Sequence, residues 1–188
     1  MDTNIQLTDG VILLRPPRPG DIPAVAAAVR ESLAELHPWM DWATDHYDEA
    51  AASRWLEFAQ LAWEHASAFQ FVITDAQTGE YIGNCGLDGL DEKKRVCNLG
   101  YWVRTSRAKQ GIASRAARLV ARFAFETLGS ARVEIHTAAG NIASQRVAQK
   151  AGAHYEGRRP NQMVVHTDSH DAVIYSLTPA DFIASPHP

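Results

Sequence analysis

AKQGIAS, Ala108 to Ser114, decides how this 188-residue chain is read. It lies between an apolar, strand-like run ending at Leu99–Val103 and a helix-like run that continues to about Phe125. Gly111 lets the backbone come close to a bulky ligand. A helix beginning at Ile112 leaves its first amide N–H groups unpaired. Those donors, with the positive end of the helix dipole, suit a phosphate or pyrophosphate. Arg104, Arg107, Lys109 and Arg115 crowd the same turn. An ordinary strand-to-helix turn accounts for these residues equally well, so the segment alone decides nothing about function.

A second element follows at NIASQRVAQKAGA, Asn141 to Ala153, after a strand-like run over Ala131–Thr137. Asn141 reads as an N-cap, its side chain accepting from a backbone N–H two or three residues on. Ile142, Val147, Ala148 and Ala151 give the helix an apolar side. Gly152 fits the left-handed position that ends it. The order strand, phosphate-type turn, helix, strand, Asn-capped helix is far more specific than either half.

That order and those residues resemble the GNAT acetyltransferase superfamily. Its acetyl-CoA signature, Q/R-x-x-G-x-G/A, appears as AKQGIA, with Gly111 and Ala113 matching and Ala108 in place of Gln or Arg. Arg107, one residue earlier, is the substitute expected for the missing base. Asn141 and Gly152 match the later signature. Within the superfamily the chain is similar to the Rim-type branch, which acetylates N-terminal amines of ribosomal proteins. LRPPRPGD (Leu14–Asp21), PWMDW (Pro38–Trp42), Ser144 after Asn141, and HDAVIYSLTPADF (His170–Phe182) carry that likeness.

Composition fits one domain over residues 1–188, long enough to bury a sizeable core. Apolar content of 46% and charged content of 21% are those of an ordinary globular protein. The net charge of −4 argues against a general nucleic-acid binder. There is no apolar run of membrane-spanning length and no basic-then-apolar start of a signal peptide. No membrane association and a cytoplasmic location are therefore expected. Cys85 and Cys97 would face each other if their hairpin were symmetric about Asp91, and two packed thiols are favoured over a disulfide. No metal is expected, although His166 and His170 flank a turn at Asp168.

Periodicity places strands at Val11–Arg15, Phe69–Thr74, Tyr81–Leu87, Val96–Val103 and Ala131–Thr137. Three short ones follow at Tyr155–Arg158, Met163–His166 and Ala172–Leu177. Helices are expected over Ile22–Leu36, Glu49–Glu64, from Ile112, and over Asn141–Ala151. The result is an α/β (α+β) domain with a central, mostly antiparallel mixed sheet and helices on both faces. Leu99–Val103 and Val133–Thr137 would be parallel neighbours, because a helix crosses between them. The resemblance implies that these two strands splay apart and that CoA enters the gap.

The resemblance also implies a site. Backbone groups of Tyr101, Trp102 and Val103 would hold the pantetheine arm. Lys109, Gln110, Gly111, Ile112, Ala113 and Ser114 would hold the pyrophosphate, helped by Arg107. Asn141 would hydrogen-bond the pantetheine, and Ser144 would sit near the sulfur as proton donor, although a capping role for Ser144 is equally open. The acceptor pocket would draw on the His37–Trp42 loop, with His37 and Trp39, on Asn84 and on the Arg159–Asp171 hairpin. Trp39 and Trp42 could equally be core residues. His136 reads as a satisfied histidine. The resemblance implies a Glu acting as base in the segment before the final hairpin, but Asn161–Val165 has no carboxylate, so no base is named. An α-amine of pKa ~8 is roughly a tenth neutral at pH 7, against a few parts in ten thousand for a lysine amine. A site without a strong base therefore favours an α-amine. Two alternatives stay open: a small amine such as an aminoglycoside, polyamine or amino acid analogue, and a non-catalytic acyl-CoA sensor. Asp41, Asp45, Asp48 and Glu49 read either as an acidic pocket for such a polycation or as a solvated helix start.

Overall fold

Strand alternation and helix caps carry most of these expectations into the computed structural model, which describes residues 5–183. The strands are β1 (Leu7–Thr8), β2 (Ile12–Arg15), β3 (Phe69–Asp75), β4 (Tyr81–Asp91), β5 (Val96–Val103), β6 (Arg132–Ala138), β7 (His154–Val165) and β8 (Asp168–Leu177). The helices are α1 (Ile22–Glu31), α2 (Leu33–Leu36), α3 (Glu49–Glu64), α4 (Ile112–Glu126), α5 (Ile142–Lys150) and α6 (Ala180–Ile183). All eight strands join one sheet in the order β1-β2-β3-β4-β5-β6-β8-β7. Every neighbouring pair is antiparallel except β5–β6, which α4 connects as a parallel crossover.

Alternation sends successive side chains to opposite faces. Leu99 and Tyr101 of β5 join Val133 and Ile135 of β6 under α4 and α5, whereas Trp102 joins Val72 and Tyr81 under α1 and α3. Burying each large side chain contributes about 1.5–3 kcal/mol. Trp63 ties the end of α3 to the first cluster, meeting Phe69 edge-on at 4.9 Å and Phe71 at 5.2 Å. The LRPPRPGD turn is structural: Arg15 makes a two-pronged ion pair with Asp21, whose carboxylate also accepts from the Arg18 amide.

Several boundaries differ from expectation. The helix expected over Ile22–Leu36 breaks at Ser32, a buried residue whose hydroxyl accepts from the Thr105 amide. The short strands expected before and after Pro160 merge into β7, with an irregularity between Arg159 and Met163. As the last strand of the sheet, β7 tolerates a residue without an N–H. Ile142 is exposed, so Ala148 and Ala151 carry the buried side of α5. Cys85 pairs with Tyr101 and not with Cys97, because the β4–β5 register is centred two residues beyond Asp91. Both cysteines are free and buried. Burial holds the Cys85 thiol far above its ordinary pKa, which makes it a packing group.

Candidate active site

β5 and β6 pair only at Val96–Arg132, Cys97–Val133 and Asn98–Glu134. Beyond that point β5 stays with β4 as far as Val103, and β6 stays with β8 as far as Ala138. Leu99–Val103 and residues 135–138 therefore diverge, leaving one edge of β5 unpaired. An unpaired strand edge offers backbone donors and acceptors to an extended ligand. The parallel neighbours expected at Leu99–Val103 and Val133–Thr137 are thus the two sides of an opening.

Lys109 and Gly111 have left-handed backbones, φ 62° and 78°, on either side of Gln110. Such alternation turns successive amides toward one concavity, which suits an anion. Among the described residues nothing accepts from the amides of Ile112, Ala113 or Ser114, whereas Arg115 N–H closes the first helical bond onto Gly111. A Cβ added at Gly111 would meet only Ser114 Oγ, at 4.0 Å, so glycine is needed there for its backbone angle and not for space.

The surrounding bases are largely occupied. Arg107, the expected substitute for the missing signature base, pairs instead with Asp75 and Glu80 across the β3–β4 turn. The Arg107 guanidinium is thus engaged by two carboxylates of the β3–β4 turn. Arg104 pairs with Glu31 and Glu80, and Arg115 with Asp9. These partners draw the Glu31 and Asp75 carboxyls down to about 2. Lys109 is exposed and, among the described residues, has no carboxylate partner.

Across the opening, Asn141 Oδ1 accepts from the Ser144 amide at 3.0 Å. The cap is therefore Asn141, and the Ser144 hydroxyl is left for other partners. Tyr101 reaches over from β5, its hydroxyl 2.8 Å from the Ser144 carbonyl oxygen and 3.2 Å from Ser144 Oγ. Burial pushes the Tyr101 phenol well above its usual range, so it stays protonated and can donate. Gly152 takes the left-handed ending of α5, and Arg118 covers the last carbonyl at Ala151.

On the other face of the sheet lies a cavity of about 210 Å³ beside the same stretch of β5. Met40, Trp42, Trp55 and Trp102 wall it, and Gln70, Asn84 and Asp88 supply polar groups. Gly86 and Gly100, Cα partners across β4–β5, form part of its lining. The expected Asn84 is thus in place, its Oδ1 accepting from the Tyr81 hydroxyl. His37 and Trp39 are not in this lining. The His37 and His166 rings meet tilted, 4.4 Å between centroids, and the Asp41 side chain accepts from the His166 amide, which latches the loop onto the β7–β8 turn. Trp39 packs on Gly140, where a Cβ would lie 3.2 Å from its ring. Of the loop acids, Asp48 caps α3 and Asp41 serves the latch. A larger hollow of about 420 Å³ under Pro16–Pro19 lies away from the opening.

Sequence reasoning missed the Tyr101 side chain, Asp88 and the contact of His166 with the His37–Asp41 loop. Alternation put Tyr101 on the α5 face, but its reach to Ser144 depends on how far the strands diverge. Asp88 would have been recoverable from the correct hairpin register, which sets it beside Asn98. Other expectations fit: His136 is satisfied by Glu134, and Asp171 pins the last hairpin through Arg158 and Asn161. His170 pairs with Met163, while His166 turns to His37. Glu156 is held by Arg132 and Ser176. Among the described residues, no helix is long and apolar enough to cross a membrane.

The Acetyltransferase (GNAT) domain family matches residues 12–154. A Bacillus subtilis protein named "Putative ribosomal N-acetyltransferase YdaF" is 30% identical over 172 residues, covering 88% of this chain and 90% of that protein. The solved structure of a "putative ribosomal-protein-serine acetyltransferase" from Vibrio cholerae is similar with a TM-score of 0.84 and 26% identity, over 95% of this chain and 100% of that one. RimJ of Mycobacterium smegmatis, solved in complex with CoA-disulfide, shares the fold with a TM-score of 0.84 at 23% identity, over 96% of this chain and 88% of that one.

Proposed function

The chain belongs to the GNAT acetyltransferase family, and we propose that this N-acetyltransferase moves the acetyl group of acetyl-CoA to the α-amine at a protein N-terminus, of the ribosomal-protein kind. The names of the Bacillus subtilis and Vibrio cholerae relatives support that acceptor, and the CoA-bound RimJ supports the donor. In this reading the whole chain is one N-acetyltransferase domain. It implies a cytoplasmic enzyme, since acetyl-CoA and ribosomal proteins are both found there.

One observation carries the reading. The unpaired edge of β5 runs between the free amides of α4 and the capped start of α5, with a cavity on the opposite face of the same strand. The Lys109–Ser114 backbone receives the pyrophosphate. Tyr101–Val103 hold the pantetheine arm as an added strand. Asn141, whose Oδ1 is taken by the cap, offers its amide N–H to the arm. The thioester then faces the closed end of the opening, and the amine reaches it from the cavity.

Transfer needs a neutral amine, a polarised carbonyl and a stabilised leaving thiolate. Ser144 Oγ donates to the developing thiolate, with the N-terminal dipole of α5 favouring the same charge. The free amine attacks, the C–S bond breaks, and the proton lost by the nitrogen balances the one gained by sulfur. A polycationic acceptor is less suited, because among the described residues Asp88 alone brings a carboxylate to the cavity lining.

The test is thiol release from acetyl-CoA by the full chain, with N-terminal peptides and small amines as acceptors and mass spectrometry to locate the acetyl group. Acetylation of the peptide α-amine is expected. Turnover with small amines alone would refute the protein acceptor, and no turnover with any amine would refute the assignment as a whole.

A further inference from the structure

The cavity beside β5 also carries groups that bear on which acceptor it takes. Asp88 sits on β4 opposite Asn98, and Asn98 in turn pairs with Glu134 at the last rung before β5 and β6 part. Asp88, an exposed residue, therefore lies level with the closed end of the opening, one strand away from it, on the cavity side. Tyr101, which reaches Ser144, is three residues along β5 from Asn98, roughly 10 Å at the usual strand rise. An acetyl-CoA arm running back along β5 from α4 brings its thioester into this interval.

Two features make Asp88 fit an ammonium group. Asn98 Nδ2 donates to Asp88 Oδ1 at 2.9 Å, which fixes the carboxylate and leaves Oδ2 open. Asn98 Oδ1, buried beside it, has no donor among the described residues. Two acceptor oxygens, Asp88 Oδ2 and Asn98 Oδ1, thus stand side by side without a donor among the described residues. An α-ammonium carries three N–H donors and is the dominant form of an N-terminal amine at neutral pH. Trp42, Trp55 and Trp102 supply the aromatic walls around the space, with Gln70 and Asn84 as its neutral polar groups. Trp42 is 42% exposed, and its ring lies 5.9 Å from that of Trp102. Leaving a large aromatic surface open to water is unfavourable unless something covers it. A Cβ at Gly100 would meet nothing within 4 Å, so the strand leaves this space clear.

We propose that Asp88 receives the acceptor's ammonium group and that the tryptophan walls select a peptide whose first residue has an apolar side chain. This rests on the acetyltransferase reading above. Asp88 is a binding residue in it: it draws the amine to the thioester, and the amine sheds its proton to solvent before attack. Trp42 and Trp102 cover the first side chain, and about 210 Å³ suits one residue and not a chain segment.

The test is steady-state kinetics with peptides that differ only in their first residue, for the full chain and for Asp88→Asn and Asp88→Glu. Asn keeps a carbonyl oxygen for the Asn98 hydrogen bond, so the hairpin should be unaffected and CoA affinity should stay within about twofold. Losing a charged hydrogen-bond partner should raise the acceptor KM roughly tenfold to a hundredfold in Asp88→Asn. Asp88→Glu should recover part of that loss, and the wild-type KM should rise with salt more steeply than that of Asp88→Asn. Leu, Met or Phe as first residue should outperform Gly or Ser. An acceptor KM unchanged in Asp88→Asn overturns the role of Asp88, and equal use of Gly-first and Leu-first peptides overturns the apolar selection. If wild type acetylates only small amines, the N-terminal reading fails, and the same Asp88→Asn comparison on that amine still decides the role of Asp88.

Discussion

Gly111 allows the phosphate-binding reading to be tested in separable parts. Its φ of 78° is unfavourable for any side chain, while a Cβ there has nothing closer than Ser114 Oγ at 4.0 Å. Gly111→Ala therefore isolates the backbone cost, about 1 kcal/mol. For a chain of this length that lowers the melting temperature by about 2–4 °C. Lys109 already holds φ 62° without being glycine, so the turn accommodates this conformation in an L-residue. Gly111→Gln adds bulk, and Gly111→Glu adds bulk and charge. A carboxylate ~5 Å from a pyrophosphate in water is repelled by about 0.8 kcal/mol per unit charge, or about 1.7 kcal/mol for two. The Glu variant should thus bind CoA at least about tenfold more weakly than the Gln variant, and the difference should shrink in high salt. Calorimetric titration of CoA into all four proteins, alongside their melting temperatures, makes the comparison. CoA affinity for Gly111→Glu within twofold of that for Gly111→Ala would mean that the pyrophosphate does not bind at the start of α4.

Ser144→Ala keeps the α5 cap, since the capped donor is the backbone amide, so turnover should fall about a hundredfold while CoA affinity holds. Unchanged turnover would make Ser144 structural. Tyr101→Phe removes the hydroxyl at 3.2 Å from Ser144 Oγ and should slow turnover by a smaller factor, with no further loss when added to Ser144→Ala. Additive losses would mean that the two hydroxyls act independently. Gly100→Val should raise the acceptor KM with little change in CoA affinity or melting temperature, because its side chain enters open cavity from an ordinary strand position. An unaltered acceptor KM would move the acceptor elsewhere. The Glu31 and Asp75 carboxyls, held at about 2, contribute stability that is complete above their ordinary range and lost as pH falls through about 2. Thermal melts of Arg104→Gln and Arg107→Gln should therefore show a deficit near neutral pH that closes toward pH 2, and a deficit independent of pH would exclude these ion pairs as its source.

Much of the fold could be read from the chain because its determinants are local. Strand alternation located β5, Asn141 and Gly152 marked both ends of α5, and Gly111 marked the start of α4. Each depends on neighbours within a few residues, where backbone sterics and capping act whatever the rest of the chain does. Merged strands were harder: Pro160 breaks a pattern in sequence but not at the edge of a sheet, and only the strand order makes β7 the last strand.

The site divides in the same way. The sequence by itself determined that Gly111 opens a helix with free amides and that Asn141 caps the next one, since both are matters of backbone angle and short-range hydrogen bonding. Only the tertiary structure decided that Arg107 is occupied by Asp75 and Glu80, that Tyr101 meets Ser144, and that Asp88 lies level with the closed end of the opening. Those contacts join residues up to 43 positions apart. They depend on hairpin register and on where β5 and β6 stop pairing, and a one-residue slip sends a side chain to the other face of the sheet. No periodicity in the chain encodes that choice. It is made when the helices pack on both faces and the strands are fixed together.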